Sequence, residues 1–241
     1  MRGWWSEITG LVLPVACGGC GVPRTQLCEV CAGALYGGVA RRARPVPEPR
    51  GLPVVHAAAA YGDAVRAVLL AHKERGALGL AGPLGTALAG AVRAAAPEAG
   101  RTGGPLLLVP VPSARRAVRA RGHDAARRIA RAAAAELRRT GTPATVLPVL
   151  RQRRAVADQS GLTARQRVAN LAGALGVRAG GERLLAGGRT VLVDDLMTTG
   201  ASLVEAARAL SAAFPHGFPG FAQLSAAVVA VPPLSWEINR N

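Results

Sequence analysis

The sequence predicts an α/β domain with a central, mostly parallel sheet, preceded by a small N-terminal module. Residues 106–111 and 190–193 are uncharged strand-forming runs, typical of strands buried on both faces in a parallel sheet. Segments with apolar residues at helical spacing alternate with these strand candidates. Four cysteines in two C-x2-C pairs lie near the N-terminus, and 241 residues suffice for one α/β domain plus such an appendage.

The N-terminal module, residues 1–40, is organised around the only cysteines in the chain, Cys17, Cys20, Cys28 and Cys31. Two C-x2-C pairs separated by seven residues supply four thiolates for one tetrahedral Zn²⁺. Such a site is structural, because four protein ligands leave no open coordination position. The alternative is two disulfides. They are disfavoured because disulfides are rare in cytosolic proteins, which this chain resembles. Residues 1–13 form an apolar lead-in that we expect to pack against a neighbouring domain.

Residues 41–53 carry four prolines and four arginines and predict an extended linker to a second domain, residues 54–241. That domain begins with a strand candidate at residues 54–61. A first helix is predicted from Asp63. A second opens at Pro83, because proline suits the first position of a helix.

A rigid turn follows the apolar strand at residues 106–111. The sequence Val-Pro-Val-Pro-Ser ends at Ser113, and its two prolines fix φ and remove two backbone donors. Ligands of open α/β sheets bind at the carboxyl ends of strands, where this turn lies. Arg115 and Arg116 come just after it and have the charge to hold a pyrophosphate. A solvated surface role is the alternative for each of these arginines.

Residues 124–139 predict an amphipathic helix with one basic face. Arg127, Arg131 and Arg138 fall on one side at about 100° per residue, and apolar residues such as Ile129 fall on the opposite side. This pattern is most often the solvated face of a core helix, but it also suits contact with a phosphate backbone.

The second half of the chain adds strand candidates at residues 145–150, 173–177 and 226–231. The segment between the first two is long, polar and turn-rich, and within it residues 163–170 predict a short basic helix. Such an excursion between two strands is typical of a mobile lid over a site.

Residues 190–202 combine a strand, two adjacent carboxylates, Asp194 and Asp195, and a loop that opens a helix. Free N–H groups and the positive dipole end at a helix N-terminus attract phosphate. The carboxylates can accept hydrogen bonds from the paired hydroxyls of a ribose, so the stretch predicts a sugar-phosphate site. A buried strand whose carboxylates cap the next helix is the alternative. The candidates on the phosphate side are Met197, Thr198, Thr199, Gly200, Ala201 and Ser202.

The net charge is +16, from 30 Lys and Arg against 14 Asp and Glu, and Lys73 is the only lysine. Such a charge favours anionic partners such as nucleic acid, phosphate-rich substrates or acidic proteins. Aromatic residues make up only 3% of the chain, which excludes a long base-stacking platform, so any nucleic-acid contact is expected to be electrostatic and salt-sensitive. We see no apolar run of membrane-spanning length, which predicts a cytoplasmic protein without membrane insertion.

Residues 190–202 resemble the 5-phosphoribosyl-1-pyrophosphate (PRPP) signature of type I phosphoribosyltransferases at all 13 positions. The order of the cysteine pairs, the Val-Pro-Val-Pro turn and this motif resembles the ComF (competence protein F) family over about residues 9–231. Family members join a zinc ribbon to a phosphoribosyltransferase domain, so the resemblance implies the type I phosphoribosyltransferase fold. It also implies a link to DNA uptake in natural transformation.

The same resemblance implies roles for individual residues. Asp194 and Asp195 would hold the ribose, residues 198–202 the 5-phosphate, and the turn from Val111 to Arg115 the pyrophosphate with its Mg²⁺. Residues 71–76 match a family element that contains a lysine and a glycine, and three residues match the family's lid segment, namely Gln159, Arg167 and Asn170. Residues 123–125 depart from the family pattern.

Two classes of function are compatible with these features. One is an enzyme that transfers a phosphoribosyl group from PRPP to a nitrogen acceptor, for which the sequence offers no obvious general base. The other is a non-enzymatic, basic DNA-handling or adaptor protein that keeps the fold as a nucleotide sensor. Its partners would be single-stranded DNA or a helicase-like competence protein.

Overall fold

The strand-forming runs build a six-stranded sheet with helices on both faces. The structure is a computed structural model, and it describes residues 15–97, 104–156, 161, 163–214 and 224–236. The strands of the sheet are β1 (Arg41–Ala43), β2 (Val54–Ala60), β3 (Leu106–Pro110), β4 (Ala144–Val146), β7 (Arg189–Leu196) and β8 (Ser225–Val231). A separate antiparallel ribbon pairs β5 (Leu150–Gln152) with β6 (Leu175–Val177).

Five of the six strands in the sheet are parallel. Their order is β1-β2-β8-β7-β3-β4, and only the edge strand β1 runs antiparallel to its neighbour. Every residue of β3 and β8 is buried, as expected for uncharged strands that are covered on both faces. The predicted α/β architecture with a mostly parallel sheet is therefore confirmed.

Helices cover both faces of this sheet. The α-helices of the described residues are α1 (Glu29–Tyr36), α2 (Asp63–Glu74), α3 (Ala81–Ala95), α4 (Arg115–Arg121), α5 (Ala125–Arg139), α6 (Ala164–Leu171), α7 (Gly181–Leu185) and α8 (Ala201–Ser211). On one face α2, α3 and α5 pack with Leu108 and Val193 of the central strands. On the other face α8 packs with Val109 and Leu192.

The neighbouring strands β3 and β7 are followed by connections on opposite faces of the sheet. After β3 the chain passes through α5 to β4, whereas after β7 it passes through α8 to β8 on the other side. In open α/β sheets such a reversal opens a crevice at the carboxyl ends of the two strands, where ligands bind. The turn at Val111 and Ser113 follows β3, and residues 194–202 comprise the carboxyl end of β7 and the loop that leads into α8.

Helix α5 has the two faces that its sequence predicts. Ile129 and Leu137 are buried in the core, and Arg127 and Arg131 are exposed. Asp124 caps the helix by accepting a hydrogen bond from the backbone N–H of Arg127.

The predicted strand at residues 145–150 is confirmed only at its two ends, which belong to two different short strands, β4 and β5. Residues 144–146 pair with β3, but Pro148 has no N–H to donate to a sheet ladder, and the chain leaves the sheet there. Leu150 then begins β5 in the separate ribbon. This break places Gln152, two residues after Leu150, beside the crevice instead of at the end of a sheet strand.

Residues 41–53, the predicted linker, contribute the edge of the sheet. Their first three residues form β1, which pairs with β2, and the Arg41 guanidinium lies 4.8 Å from the centre of the Trp236 ring. Leu52, at the other end, packs against the core around α8. The apolar lead-in at residues 1–13 lies outside the described residues.

One described segment, Leu78–Ala95, is long and apolar enough to cross a membrane by length and composition. Half of it is buried inside the fold, where α3 packs against α5 and β8. Its burial identifies it as a core helix.

Candidate functional site

The backbone at Gly200 turns the end of β7 into the start of α8. Gly200 has a φ of +77°, a left-handed conformation that glycine adopts without strain. A Cβ at this position would also lie 2.9 Å from a terminal side-chain carbon of Leu52, so the Leu52 side chain would have to shift to accommodate one. The first N–H groups of α8 have no partner within the helix, which is the property that binds anions at helix starts.

The loop at this helix start, residues 197–202, presents the hydroxyl side chains of Thr198 and Ser202 to a cleft. The side chain of Met197 is buried in the core instead, and its N–H donates to the carbonyl oxygen of Ala230 at 3.1 Å. The remaining loop residues line a small recess of about 30 Å³; they are Thr199, Gly200 and Ala201.

The cleft has a volume of about 640 Å³ and lies at the carboxyl ends of β3 and β7. Small-molecule sites have volumes of about 300–1,000 Å³, so the cleft suits a ligand of that class. Lys73 and Arg121 also line the cleft, although neither is a predicted site residue. Together with the predicted Arg116 they place three cationic side chains beside the two predicted carboxylates. The predicted site residues that line it are Val111, Ser113, Arg116, Asp194, Asp195, Thr198 and Ser202.

Asp195 forms an ion pair inside this cleft. Its Oδ2 lies 2.7 Å from Nζ of Lys73, and its side chain is only 7% exposed. Because successive side chains of a strand point to opposite faces, Asp195 lies on the face of β7 that α2 covers, and Lys73 comes from the last turn of α2. Burial alone would lower the pKa of Lys73, but the charge and hydrogen bond of Asp195 raise it.

Asp194 takes its hydrogen bond from the backbone. Its Oδ1 accepts from the N–H of Asp195 at 2.8 Å. Burial, followed by the charge of Asp195, raises the pKa of Asp194 well above its ordinary value, against the opposing effect of Lys73. A ligand that donates hydrogen bonds to this pair, or a cation, would relieve the repulsion between the two carboxylates.

Helix α4 carries Arg116 to the cleft and is tied to its surroundings at both ends. The N–H of Arg115 donates to Oε1 of Gln152 at 3.3 Å, and its guanidinium donates to the Gln152 carbonyl oxygen at 3.2 Å. Arg121 donates to the carbonyl oxygen of Lys73 at 3.4 Å. Arg115 therefore fastens α4 to β5, while Arg116 lines the cleft.

The segment predicted as a lid contacts the helix start through Arg167 on α6. The Arg167 guanidinium donates to Oγ1 of Thr198 at 3.1 Å. Thr163 and Gln166 form a capping box that fixes the first turn of α6. Gln159 lies outside the described residues, so its place in the site stays a prediction.

Sequence reasoning did not place Lys73 or Gln152 among the site residues. Lys73 carried a signal, since it is the only lysine in an arginine-rich chain and ends the helix after the first long strand. Gln152 carried none, because its position beside the cleft depends on the turn at Pro148.

The four cysteines form a second candidate site. Their Sγ atoms all lie within 4.8 Å of one another, and none of the four is in a disulfide. Sulfur atoms around a tetrahedral Zn²⁺ with 2.3 Å bonds are about 3.8 Å apart, and those of Cys20 and Cys28 are 3.6 Å apart. The donor set and its spacing therefore fit a structural zinc ion.

The thiols of this cluster influence one another's ionisation. Burial would raise the pKa of Cys17, but the backbone N–H groups of Cys20, Cys28 and Gly19 lower it to about 6. Burial, and then the neighbouring thiols, raise the pKa of Cys31. A divalent cation would compensate the negative charge of four clustered thiolates.

The cysteine module packs against the helices of the α/β core. Leu35 of α1 is fully buried together with residues of α2 and α3. A Cβ on Gly18 would lie 2.6 Å from a side-chain carbon of Leu80, so the first cysteine turn lies directly against the core.

Comparison with protein-family models finds no match, and comparison with curated proteins finds none either. Functional conclusions therefore rest on the residues of the cleft and of the cysteine cluster.

Proposed function

We propose that this chain is a ComF-like protein with a type I phosphoribosyltransferase fold that binds PRPP, or a related nucleotide, in the cleft between β3 and β7. The observation that carries the proposal is the adjacency of a helix start to two carboxylates, since Asp194, Asp195, Thr198 and Ser202 line one cleft. The helix start suits a phosphate, and the carboxylates suit the hydroxyls of a ribose.

Each part of PRPP would contact a different group of residues in the cleft. The 5-phosphate would accept hydrogen bonds from residues 198–202, and the ribose hydroxyls would donate to Asp194 and Asp195. The pyrophosphate would lie near the turn at Ser113, within reach of Arg116. Lys73 orients Asp195 through their ion pair, and Arg167 connects the lid segment to Thr198.

Phosphoribosyl transfer separates pyrophosphate from a ribose that becomes positively charged in the transition state. Arg116 would stabilise the departing pyrophosphate, and a closed lid would exclude water. Mg²⁺ neutralises pyrophosphate when it is bound, and it prefers carboxylate and phosphate oxygens. Asp194 and Asp195 are the carboxylates that line the cleft among the described residues, so the donor set fits this metal.

Calorimetry with PRPP and Mg²⁺ tests the proposal. We expect binding at one site in the main cleft and a loss of affinity at that site of about tenfold in Arg116→Gln, because a hydrogen bond to a charged group contributes about 1.5–3 kcal/mol. Arg119→Gln is the matched control, since Arg119 lies on the same exposed helix but does not line the cleft. No binding by the unaltered protein, or equal losses in the two variants, would contradict the proposal.

A non-enzymatic DNA-handling role is the second candidate, favoured by the net charge of +16 and the exposed face of α5. Part of this face has an intramolecular role, because Arg138 donates to the carbonyl oxygen of Ala144 and Arg139 pairs with Glu136. Arg127 and Arg131 are exposed and best suited to contact a phosphate backbone.

Binding of single-stranded DNA is expected to depend weakly on sequence and to fall as salt rises. Each neutralised phosphate adds about 0.7 to the slope of log affinity against log salt on single strands. An Arg127→Gln/Arg131→Gln variant should therefore lower that slope by up to about 1.4. Anisotropy titrations at several salt concentrations measure it, and a flat salt response or strong preference for one sequence would oppose this role.

A further inference from the structure

A second cleft, called the outer cleft, lies beside the β5–β6 ribbon and shares only Leu175 with the main cleft at the carboxyl ends of β3 and β7. It has a volume of about 280 Å³ and is bounded by the ribbon and the last turns of α8. Its charged lining comprises four arginines and one carboxylate, namely Arg151, Arg153, Arg178, Arg208 and Glu182. Neither the cysteine module nor the carboxylate pair of the main cleft contributes to it.

Strand alternation explains why successive side chains at residues 151–153 line different clefts. Side chains two residues apart on a strand point to the same face, and the residue between them points to the opposite face. Arg151 and Arg153 accordingly line the outer cleft, and Gln152 lines the main cleft. Gly176 lies opposite Arg151 in the ribbon, and a Cβ there would lie 2.7 Å from the Arg153 side chain. The absence of a side chain at Gly176 therefore leaves space for the Arg153 side chain in the outer cleft.

One arginine of this cleft is neutralised and three are not paired with a carboxylate of any described residue. Arg208 lies 2.7 Å from the carboxylate of Glu205 and also donates to the Leu175 carbonyl oxygen. Arg151, Arg153 and Arg178 form no such ion pair within the described ranges. Three guanidinium groups on one small concave surface attract an anion that carries several charges.

We propose that this outer cleft binds the phosphate groups of a small phosphorylated molecule, separately from the ligand of the main cleft. Arginine is well suited to phosphate, because its planar guanidinium donates two parallel hydrogen bonds. The volume is near the lower end of ligand sites, about 300 Å³. It suits a short polyphosphate or a phosphate ester better than an extended nucleic-acid strand.

Calorimetry with sodium tripolyphosphate at low salt tests this site in the full chain. We expect Arg151→Gln/Arg153→Gln to weaken one class of tripolyphosphate binding, the one at the outer cleft, by at least about tenfold, since two charge-assisted contacts are lost. Arg127→Gln/Arg131→Gln removes the same charge from exposed positions on α5 and is expected to change that class less than about twofold. Arg116→Gln should also retain it, because Arg116 belongs to the main cleft.

PRPP titration of the same variants separates the two sites. Retained PRPP binding in Arg151→Gln/Arg153→Gln, with tripolyphosphate binding lost, supports a separate outer site. Equal losses of tripolyphosphate affinity in the outer-cleft and α5 variants would overturn the proposal, since only overall charge would then matter. Loss of oligothymidylate binding without loss of tripolyphosphate binding would also overturn it and indicate a strand-binding groove. If no variant binds PRPP, the function proposed for the main cleft fails, and the tripolyphosphate result still decides the outer site.

Discussion

Purified without a tag, the protein is expected to bind about one equivalent of zinc and Cys31→Ser little or none, because a structural site needs all four ligands. Cys31 is only 2% exposed, and its thiol lies among three others within 4.8 Å. Metal binding supplies much of the folding free energy of small zinc modules, about 10–16 kcal/mol of apparent binding free energy in zinc-finger peptides. We therefore expect Cys31→Ser to lose the fold of the module around residues 15–37.

The loss should also reach the α/β core, because Leu35 and Gly18 of the module pack against α2 and α3. A domain of this size loses about 2–4 °C in melting temperature per kcal/mol, so a measurable decrease is expected in Cys31→Ser and in chelator-treated protein. Elemental analysis and thermal melting measure the two effects. Val30→Ser is the control, since Val30 is 83% exposed on the same helix. Protein without metal and with Cys–Cys links detected by mass spectrometry would contradict the zinc assignment.

The sequence predicts the central strands and the long helices well, because burial on both faces and helical periodicity leave clear patterns. Residues 106–111 and 226–231 differ from β3 and β8 by a single residue at one end. The short elements were harder to predict. β1 has three residues among prolines, and its pairing with β2 depends on tertiary contacts that no local pattern records. At residues 145–150 a proline outweighed the strand propensity of its neighbours.

The site was predictable where one continuous stretch builds it and less so where distant elements meet. Residues 194–202 contain the carboxylates, the glycine and the helix start in order. The Lys73–Asp195 ion pair joins α2 to β7, so it depends on which face of the sheet each element covers. Arg115 and Arg116 are adjacent in sequence, yet one fastens α4 to β5 and the other lines the cleft. The rotation of α4 about its own axis decides which arginine takes which role, and the sequence alone does not fix that rotation.

Replacing both acidic residues of the motif, Asp194→Asn/Asp195→Asn, is expected to lower PRPP affinity by at least about tenfold, which is about 1.4 kcal/mol. Asn keeps the size and some hydrogen bonding, but it removes charge-assisted acceptance, which contributes about 1.5–3 kcal/mol per hydrogen bond. The fold should survive, because no buried volume changes, but loss of the Lys73–Asp195 ion pair is expected to lower the melting temperature. Asn at 194 also removes a carboxyl group whose pKa is raised by burial, so that position alone should not destabilise the protein at neutral pH.

Proton binding explains why loss of the Asp194 carboxyl group should not lower stability at neutral pH. A carboxyl group with a raised folded-state pKa binds its proton more tightly in the folded protein, so its contribution to stability is lost as pH rises through that pKa. Melting temperature and PRPP affinity are measured together on the double variant, with Glu136→Gln as a control carboxylate in an ion pair on α5, away from the cleft. The N-cap of α8 is Gly200, and no side chain caps that helix, so the carboxylates are not its caps. If Asp194 and Asp195 only stabilise the fold, for example through the Lys73–Asp195 ion pair, the double variant will melt at a lower temperature and bind PRPP unchanged. That result would refute a ribose-binding role, whereas weakened binding by a folded variant, with Glu136→Gln unaffected, would support it.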